Sequence, residues 1–341
     1  MSNQKNHEIH FKTRPQGMPT AANFEVVETA VPTPGPGQVL VRNSYMSVDP
    51  YMRGRMSDRA SYAEGFKLGE AMTGGAVGQV VASNNDKFKV GEHVSHFGGW
   101  REWYVSTGAD FQKVDPKLAP LSAYLGTFGM PGLTAYAGLL RVGELKDGET
   151  VFVSAASGAV GAVACQIAKA KGCTVIGTAG SDEKCQWLKD VAKVDHAINY
   201  KTAGDLSAAL RKAAPKGIDV YFDNVGEDHL NAALANMKLN GRIPVCGMIA
   251  QYNATTPPPG PSSIIAVIPL RLTIKGFIVS DHGDMAPQFI ADMAKWTMAG
   301  KMKWQETIKD GIENAPQAFL GLFSGDNTGK MVVRVGPDSA V

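Results

Sequence analysis

The sequence predicts an α/β protein, a glycine-rich β domain followed by a doubly wound parallel sheet. Three observations carry that prediction. Short valine-rich runs split by Gly, Asn and Asp fill the first ~125 residues, as in a barrel or sandwich. From Leu125 onward, apolar strands alternate with stretches whose apolar residues recur at helical spacing, which calls for right-handed crossovers and a parallel sheet. Glycine supplies 38 of 341 residues, above the usual ~7%, which suits tight turns and close backbone approaches.

The β-rich part holds "GQVLVRNSYMSV", "GGAVGQVVASN" and "GEHVSHFGGWREWYVS". In the second part "TVFVSA" is a short apolar strand, and Val160, Val163, Ala164, Ile167 and Ala168 mark the helix after it. Lys169, Lys171 and Gly172 end that helix. "CTVIGTA" is the next strand. Ser181 caps a helix with Asp182 and Glu183 in its first turn and Trp187, Leu188 and Val191 on its buried face. "HAINY" is a strand, and Leu206, Ala209, Leu210 and Ala213 mark a helix. "IDVYFDNVG", "GRIPVCGMI" and "LTIKGFIVS" are buried strands. "TTPPPGPSS", Thr255 to Ser263, is neither central strand nor helix; it is a surface loop or a stiff flap. A last helical region at about Ala286 to Ala299 precedes the tail strand in "GKMVVRVG".

Composition excludes several classes. A net charge of +2 offers no basic field for nucleic acid or an anionic membrane. The polar start has no apolar core of a secretion signal, and nothing approaches the ~18 unbroken apolar residues of a membrane span. The four cysteines form no C-x-x-C pair and read as reduced, buried thiols of a cytoplasmic protein. His93 and His96 are the closest histidine pair, and on a strand they point to opposite faces, so no metal is expected.

The run from Val151 to Gly172 nearly contains G-x-G-x-x-G, with Ala156 in place of the first glycine. Gly158 would let backbone approach a pyrophosphate, and Gly161 would let the helix pack on the sheet. Alanine at 156 is expected only to shift the turn toward less strained angles. The turn follows a strand and opens a helix, so the helix N-terminus can receive an anion. In sites for the unphosphorylated dinucleotide, a carboxylate about 20 residues on holds the ribose diol. Here Gly177, Thr178 and Ala179 carry none, and Lys184 lies one turn beyond Ser181. The expected cofactor is therefore NADP(H).

The runs "VDPYMRGRM", "FGMPGLTAYAGL", "AASGAVG", "GSDEK", "NYKT", "FDNVG", "GMIAQYN", "PPPGP" and "GDNTGKMVV" together resemble one family. It is the zinc-independent medium-chain dehydrogenase/reductases of the prostaglandin reductase, alkenal double-bond reductase and bacterial curcumin reductase group. The resemblance implies a GroES-like β-barrel catalytic domain at 1–124, a Rossmann domain at 125–299 and a return to the catalytic domain at 300–341. It implies NADPH-dependent reduction of the C=C bond of α,β-unsaturated aldehydes and ketones (hydrophobic enones, curcumin-like or oxo-prostaglandin-like) and a homodimer. Family cofactor positions fall on Gly158, Ala159, Val160 and Gly161 for the pyrophosphate, and on Lys184 and Tyr200 for the adenosine phosphate. Asn224, the run Cys246, Gly247, Met248 to Tyr252, then Phe277, Ile278, Val279 and Asn327 would complete the cofactor pocket. No cysteine precedes Cys165, so the cysteine ligands of the zinc-dependent relatives are missing.

Without a metal, the charge growing on the substrate carbonyl needs a hydroxyl or amide donor, and a phenol can donate both a hydrogen bond and a proton. Tyr252, after the "GRIPVCGMIAQ" strand, is the first expected catalytic residue, and Tyr51 in "DPYMR" is the second. Met130, Trp100 and Met248 are candidate neighbours of the proline-rich run in an apolar substrate wall. An NADPH quinone oxidoreductase is the alternative on the same fold, and a non-catalytic NADPH-binding protein is the alternative from another class. A short-chain dehydrogenase is disfavoured, because none of the nine tyrosines has lysine four residues later.

Overall fold

The computed structural model describes residues 4–339. The chain forms two compact units, residues 1–125 with 306–341 and residues 126–305.

The first unit begins with an antiparallel pair, β1 (Lys5–Phe11) and β2 (Phe24–Ala30). β3 (Val39–Ser47) leads through the short helix α1 (Met52–Arg55) to β4 (Ala76–Ser83), β5 (His93–His96), β6 (Trp103–Ser106) and β7 (Gln112–Val114). Proline and glycine between these strands supply the turns that the valine-rich runs cannot.

In the second unit the order is α2 (Met130–Ala137), β8 (Thr150–Val153), α3 (Ala159–Ala170), β9 (Thr174–Ala179), α4 (Asp182–Asp190), β10 (His196–Asn199), α5 (Leu206–Ala213), β11 (Ile218–Phe222), α6 (Glu227–Leu234), β12 (Met237–Val245), α7 (Val267–Leu270), β13 (Thr273–Gly276) and α8 (Ala286–Met298). The strands form one parallel sheet in the order β10-β9-β8-β11-β12-β13. Renumbered within this unit, that is 3-2-1-4-5-6, a doubly wound sheet whose switch point lies between β8 and β11. Its inner strands are nearly continuous apolar runs because helices cover both faces; Val151, Phe152, Val153, Val220, Tyr221 and Phe222 have no solvent exposure.

The chain leaves this unit only after Gln305. Gln166 on α3 holds residue 303 there, donating to the Lys303 carbonyl (2.9 Å) and accepting its amide (2.7 Å). β14 (Glu306–Asp310), α9 (Ala315–Ser324) and β15 (Lys330–Arg334) then rejoin the first unit. They extend its second sheet to the order β14-β15-β3-β4-β5-β7, with β6 on β3. The core of this unit gathers Phe24, Met46, Met52, Trp100, Phe319 and Met331.

Several expectations need correction. The sequence reading does not contain helix α9, although Ala315, Ala318 and Phe319 form a buried stripe, because the segment is apolar almost all round and three glycines and a serine near its end read as loop. The "LTIKGFIVS" strand is not buried; β13 is exposed along its length because it is the sheet edge with only β12 beside it. On α4 the fully buried residues are Cys185 and Leu188, while Trp187 and Val191 are half-buried. Trp100 cannot line a substrate wall, since it is wholly buried in the first unit's core, parallel to Phe24 at 6.1 Å.

The four cysteines are free; three are buried and Cys246 is half-buried. Burial pushes every thiol up, that of Cys246 to about 12. His96 and His229 are buried too, and desolvation lowers each from 6.5 to about 4. The Gly98 amide donates to His96 Nδ1 (3.0 Å), so the ring is neutral with its proton on Nε2. A second ring proton would arrive on a nitrogen already committed as an acceptor. The unfolded chain takes up these protons near pH 6.5 and the folded one near pH 4, so stability falls as pH drops through that window. The loss is about 3 kcal/mol per histidine at the acid end. Thermal melts from pH 7 to 4.5 should show a steady fall in Tm, smaller in His96→Gln, and a flat profile would refute the assignment.

Candidate functional site

Every candidate cofactor residue of the second unit follows the carboxyl end of a parallel strand, whereas Met130 opens α2, before the first of them. The glycine turn follows β8, Lys184 follows β9, Tyr200 follows β10, Asn224 follows β11, Cys246 follows β12 and Phe277 follows β13. In an open parallel sheet this is the edge at which ligands bind.

The glycine turn is tight. Gly158 caps α3 in extended geometry, and the Gly158 amide donates to the Ala155 carbonyl (2.9 Å). The first turn of the helix, Ala159 to Gly161, presents amides with no intrahelical partner. A Cβ on Gly161 would strike the Ala155 carbonyl oxygen and lie 2.8 Å from Ala156 Cα, so α3 packs against the turn only because residue 161 has no side chain. The left-handed residue of the turn is not Ala156, which stands in place of the first fingerprint glycine, but the one before it. Ala155 adopts φ +47°, a left-handed conformation that costs a non-glycine residue on the order of 1–2 kcal/mol. The Ala156 amide bonds the Thr178 carbonyl (2.8 Å), fastening the turn to β9. A Cβ on Gly177 would come within 2.7 Å of the Ala156 methyl. Gly177 is therefore small partly to seat the alanine that replaces the first fingerprint glycine.

At the end of β9, Ser181 Oγ accepts the Lys184 amide (3.3 Å) and Asp182 accepts from Asn199 Nδ2 (2.7 Å). A Cβ on Gly180 would lie 3.2 Å from the Tyr200 hydroxyl and 3.4 Å from Lys201 Cε. Tyr200 is 40% exposed and sits edge-on to His229. Tyr200 and Lys201 thus converge on Gly180, four residues before Lys184. Lys201 was missed, although it stands beside Tyr200 in "NYKT".

At the switch point, Asn224 Nδ2 donates to the Ser154 carbonyl (2.8 Å) and the Asn224 amide to Ser154 Oγ (2.9 Å). The Cys246 and Gly247 amides both reach the Asp223 carbonyl (2.8 and 3.1 Å). Tyr252 ends a 3-10 turn (Ile249–Gln251) and folds its hydroxyl back over Gly247, where a Cβ would lie 2.8 Å away. Met248 packs on Gly226. The Phe277 ring stands edge-on to Phe222 and His282, and Ile278 and Val279 lead into a 3-10 segment.

In the first unit, Tyr51 precedes α1 and packs on the core. Burial, and then the Asp49 charge, raise its phenol above the ordinary range, so it keeps its proton. Asp49 accepts from Ser47 Oγ and pairs with Lys330 Nζ (3.1 Å), which also donates to the carbonyls of Val48 and Met331 (2.8 Å each). Arg53 and Arg55 serve structure, Arg53 on the Gly17 carbonyl and Arg55 on Thr73 and over Phe66. Asn327 Nδ2 donates to the Gly329 carbonyl (2.7 Å) in the loop before β15. Among the described residues no group of three or more His, Cys, Asp and Glu side chains could hold a metal ion, and no helix is long and apolar enough to cross a membrane.

Comparison with known proteins agrees with this layout. Residues 7–114 match the family described as the N-terminal domain of oxidoreductase, and residues 159–295 match that described as zinc-binding dehydrogenase. The chain is 44% identical to the NADPH-dependent curcumin reductase of Escherichia coli, over 98% of each chain. It is 45% identical to the NADP(+)-dependent 2-alkenal reductase of Nicotiana tabacum, over 97% of each. The crystal structure of CurA from Vibrio vulnificus in complex with NADPH superposes with a TM-score of 0.92 at 45% identity, covering 97% of this chain and 99% of that one. A fingerprint turn at the first strand, a 3-2-1-4-5-6 sheet and a β domain that brackets it in sequence thus place the chain in the zinc-independent medium-chain dehydrogenase/reductase family of oxidoreductases.

Proposed function

We propose that the protein reduces the C=C bond of α,β-unsaturated aldehydes and ketones with NADPH. The observation that carries this reading is the convergence of the fingerprint turn, Lys184, Tyr200, Asn224, Cys246 and Phe277 on one sheet edge, with no carboxylate among the last three residues of β9, Gly177, Thr178 and Ala179, and the nearest one, Asp182, engaged by Asn199. The names of the relatives, curcumin reductase and 2-alkenal reductase, support the substrate class.

The residues present fit the cofactor. The α3 N-terminus and the glycines at 158 and 161 suit a pyrophosphate. Lys184, Tyr200 and Lys201 offer two cations and a hydroxyl to a ribose 2′-phosphate. Asn224, the run Cys246, Gly247, Met248 to Tyr252, and Phe277 to Val279 are assigned to the nicotinamide half, and Asn327 is assigned to cofactor binding. When bound, NADPH supplies the hydride. The chain's own task is to align and polarise. Tyr252 is assigned to hold the carbonyl oxygen of the substrate, directly or through a ribose hydroxyl. Tyr51, kept protonated by burial, is assigned as the second donor.

Lys184→Ala should weaken NADPH by at least tenfold and NADH by no more than about twofold, since a charge-assisted bond to phosphate exists only for the former. Equal losses in titrations with both cofactors would overturn the phosphate assignment. Tyr252→Phe should lower kcat/KM on a simple enone on the order of tenfold to a hundredfold while the Kd for NADPH stays within a few-fold. Near-normal turnover would remove Tyr252 from the reaction.

The test of the activity is NADPH oxidation against alkenals, enones, quinones and saturated aldehydes, with the products identified. A saturated carbonyl product is expected. Turnover of quinones alone, or an allylic alcohol with its olefin intact, would overturn the proposal. We further assign a homodimer built on β13, whose outer edge has no strand beside it among the described residues, with Ile264, Ile265 and Ile268 exposed at 47%, 68% and 73% in the segment that precedes it in sequence. Light scattering should give twice the 36.2 kDa chain mass. The cytoplasm is assigned as its compartment because four free thiols suit a reducing medium.

A further inference from the structure

At the switch point of the sheet, one carboxyl group gathers contacts that the reaction does not explain. Asp223 has no solvent exposure. Its Oδ1 accepts the Tyr221 hydroxyl (2.6 Å) and the amides of Val225 and Gly226 (2.9 Å each), with Ser154 Oγ at 3.4 Å. Its main-chain carbonyl takes the amides of Cys246 and Gly247. The two residues that follow this turn, Gly226 and Glu227, are both left-handed, at φ +78° and +44°. Such a turn needs fixed acceptors to persist. The side chain therefore links the ends of β8 and β11, the two strands of the switch point, and the main-chain carbonyl of the same residue adds the end of β12, the next one out.

We propose that Asp223 is the positioning residue for the nicotinamide half of the cofactor site, acting through Asn224 and the 246–252 loop. This rests on the assignment of Asn224 to that site. Asn224 is held on Ser154 by two bonds, its side chain to the carbonyl and its amide to the hydroxyl. Its own carbonyl receives the Ile249 amide (3.2 Å), and that of Val225 receives the Ala250 amide (3.3 Å). Asp223 fixes the segment from which all of these bonds are made. Tyr221 is the ratchet on the carboxyl, locked by stacking on Phe152 at 4.6 Å. The second oxygen, Oδ2, is buried without a hydrogen-bond partner among the described residues. Asparagine at 223 would keep the Oδ1 bonds but bring two unpaired N–H groups to that place.

Asp223 touches the end of the site common to both dinucleotides, so its removal should weaken NADPH and NADH alike, unlike Lys184→Ala. Fluorescence titrations with NADPH and with NADH would be run on the wild type and on Asp223→Ala, Asp223→Asn, Tyr221→Phe, Asn224→Ala and the double variant of 223 and 224, with the Tm of each without cofactor. Asp223→Ala should raise both dissociation constants by about tenfold to a hundredfold. Tyr221→Phe, which keeps the ring and its packing, should raise both by about threefold to tenfold with Tm nearly unchanged. Asp223→Asn should fall between wild type and alanine. The double variant should be no weaker than the worse single one, because both changes remove the same held amide. If Asp223→Ala does not fold, Tyr221→Phe and Asp223→Asn carry the test. Dissociation constants within twofold of wild type in Tyr221→Phe and Asp223→Asn, or losses at 223 and 224 that simply add, would overturn the inference. An Asn224→Ala variant that binds both dinucleotides normally would instead overturn the assignment of Asn224, and this inference with it.

Discussion

Gly161→Val should abolish measurable NADPH binding and lower the melting temperature by several degrees. A Cβ at 161 meets backbone rather than side chain, the Ala155 carbonyl oxygen and Ala156 Cα. No rotamer change can relieve that collision, so α3 must move away from the turn. Overpacking of this kind costs about 1–3 kcal/mol, or roughly 2–12 °C for a unit of this size. Displacing the helix also moves the free amides of its first turn, and a shift near 1 Å is worth about a hundredfold at a positioned group. Gly158→Ala is the internal contrast. Its methyl would lie 3.2 Å from one carbonyl oxygen, a fit that small adjustments absorb, so its melting temperature should stay within about 2 °C of the wild type while NADPH binding weakens, because residue 158 is where backbone would approach the pyrophosphate. Gly177→Ala should destabilise through contact with the Ala156 methyl, and adding Ala156→Gly should restore most of the loss. Melting curves and NADPH titrations of these variants decide the matter, and wild-type binding by Gly161→Val would refute it.

Lys330→Met should destabilise the first unit more than any other single change considered. The Lys330 and Asp49 side chains are only 4% and 7% exposed. Lys330 donates to Asp49 and to two main-chain carbonyls. Desolvation lowers the lysine's proton affinity, opposed by Asp49 and more weakly by Glu306. Removing one partner of a buried pair strands the other charge, at about 3–5 kcal/mol. The expected fall in Tm is roughly 6–20 °C. Adding Asp49→Asn should recover at least half of it, because the stranded charge is gone. If Lys330→Met melts within about 2 °C of the wild type, the pair is not a structural anchor. The same lysine fixes the Val48 carbonyl three residues before Tyr51, so kcat/KM should also fall in whatever fraction remains folded.

The parallel sheet was legible because its strands are short, apolar and separated by stretches with helical spacing, from Val151 to Gly276. Periodicity reports which face is buried, and in a doubly wound sheet both faces are. It does not say which strand is last, so β13 read like its inner neighbours although it lies at the edge. Helix α9 was lost for a related reason. The sequence "APQAFLGLFSG" is apolar almost all round, so it offers little contrast to fit a period. At the candidate site, the residues proposed by type, the fingerprint glycines, Lys184 and the two tyrosines, could be named from the sequence alone. Residues that matter by contact were not. Asp223, Ser154 and Lys330 are ordinary polar letters until the fold buries them, and the left-handed strain at Ala155 has no signature in composition at all.

The hidden thiols have a chemical meaning for a protein that handles such substrates. Conjugated aldehydes and ketones are sulfur alkylators, and they attack the thiolate rather than the neutral thiol. Three of the sulfur atoms here are buried, and burial pushes the thiol of the fourth, just past β12, up to about 12. Thiols held in this way should alkylate far more slowly than an open, acidic cysteine, so a catalyst built on them should last in a flux of electrophiles.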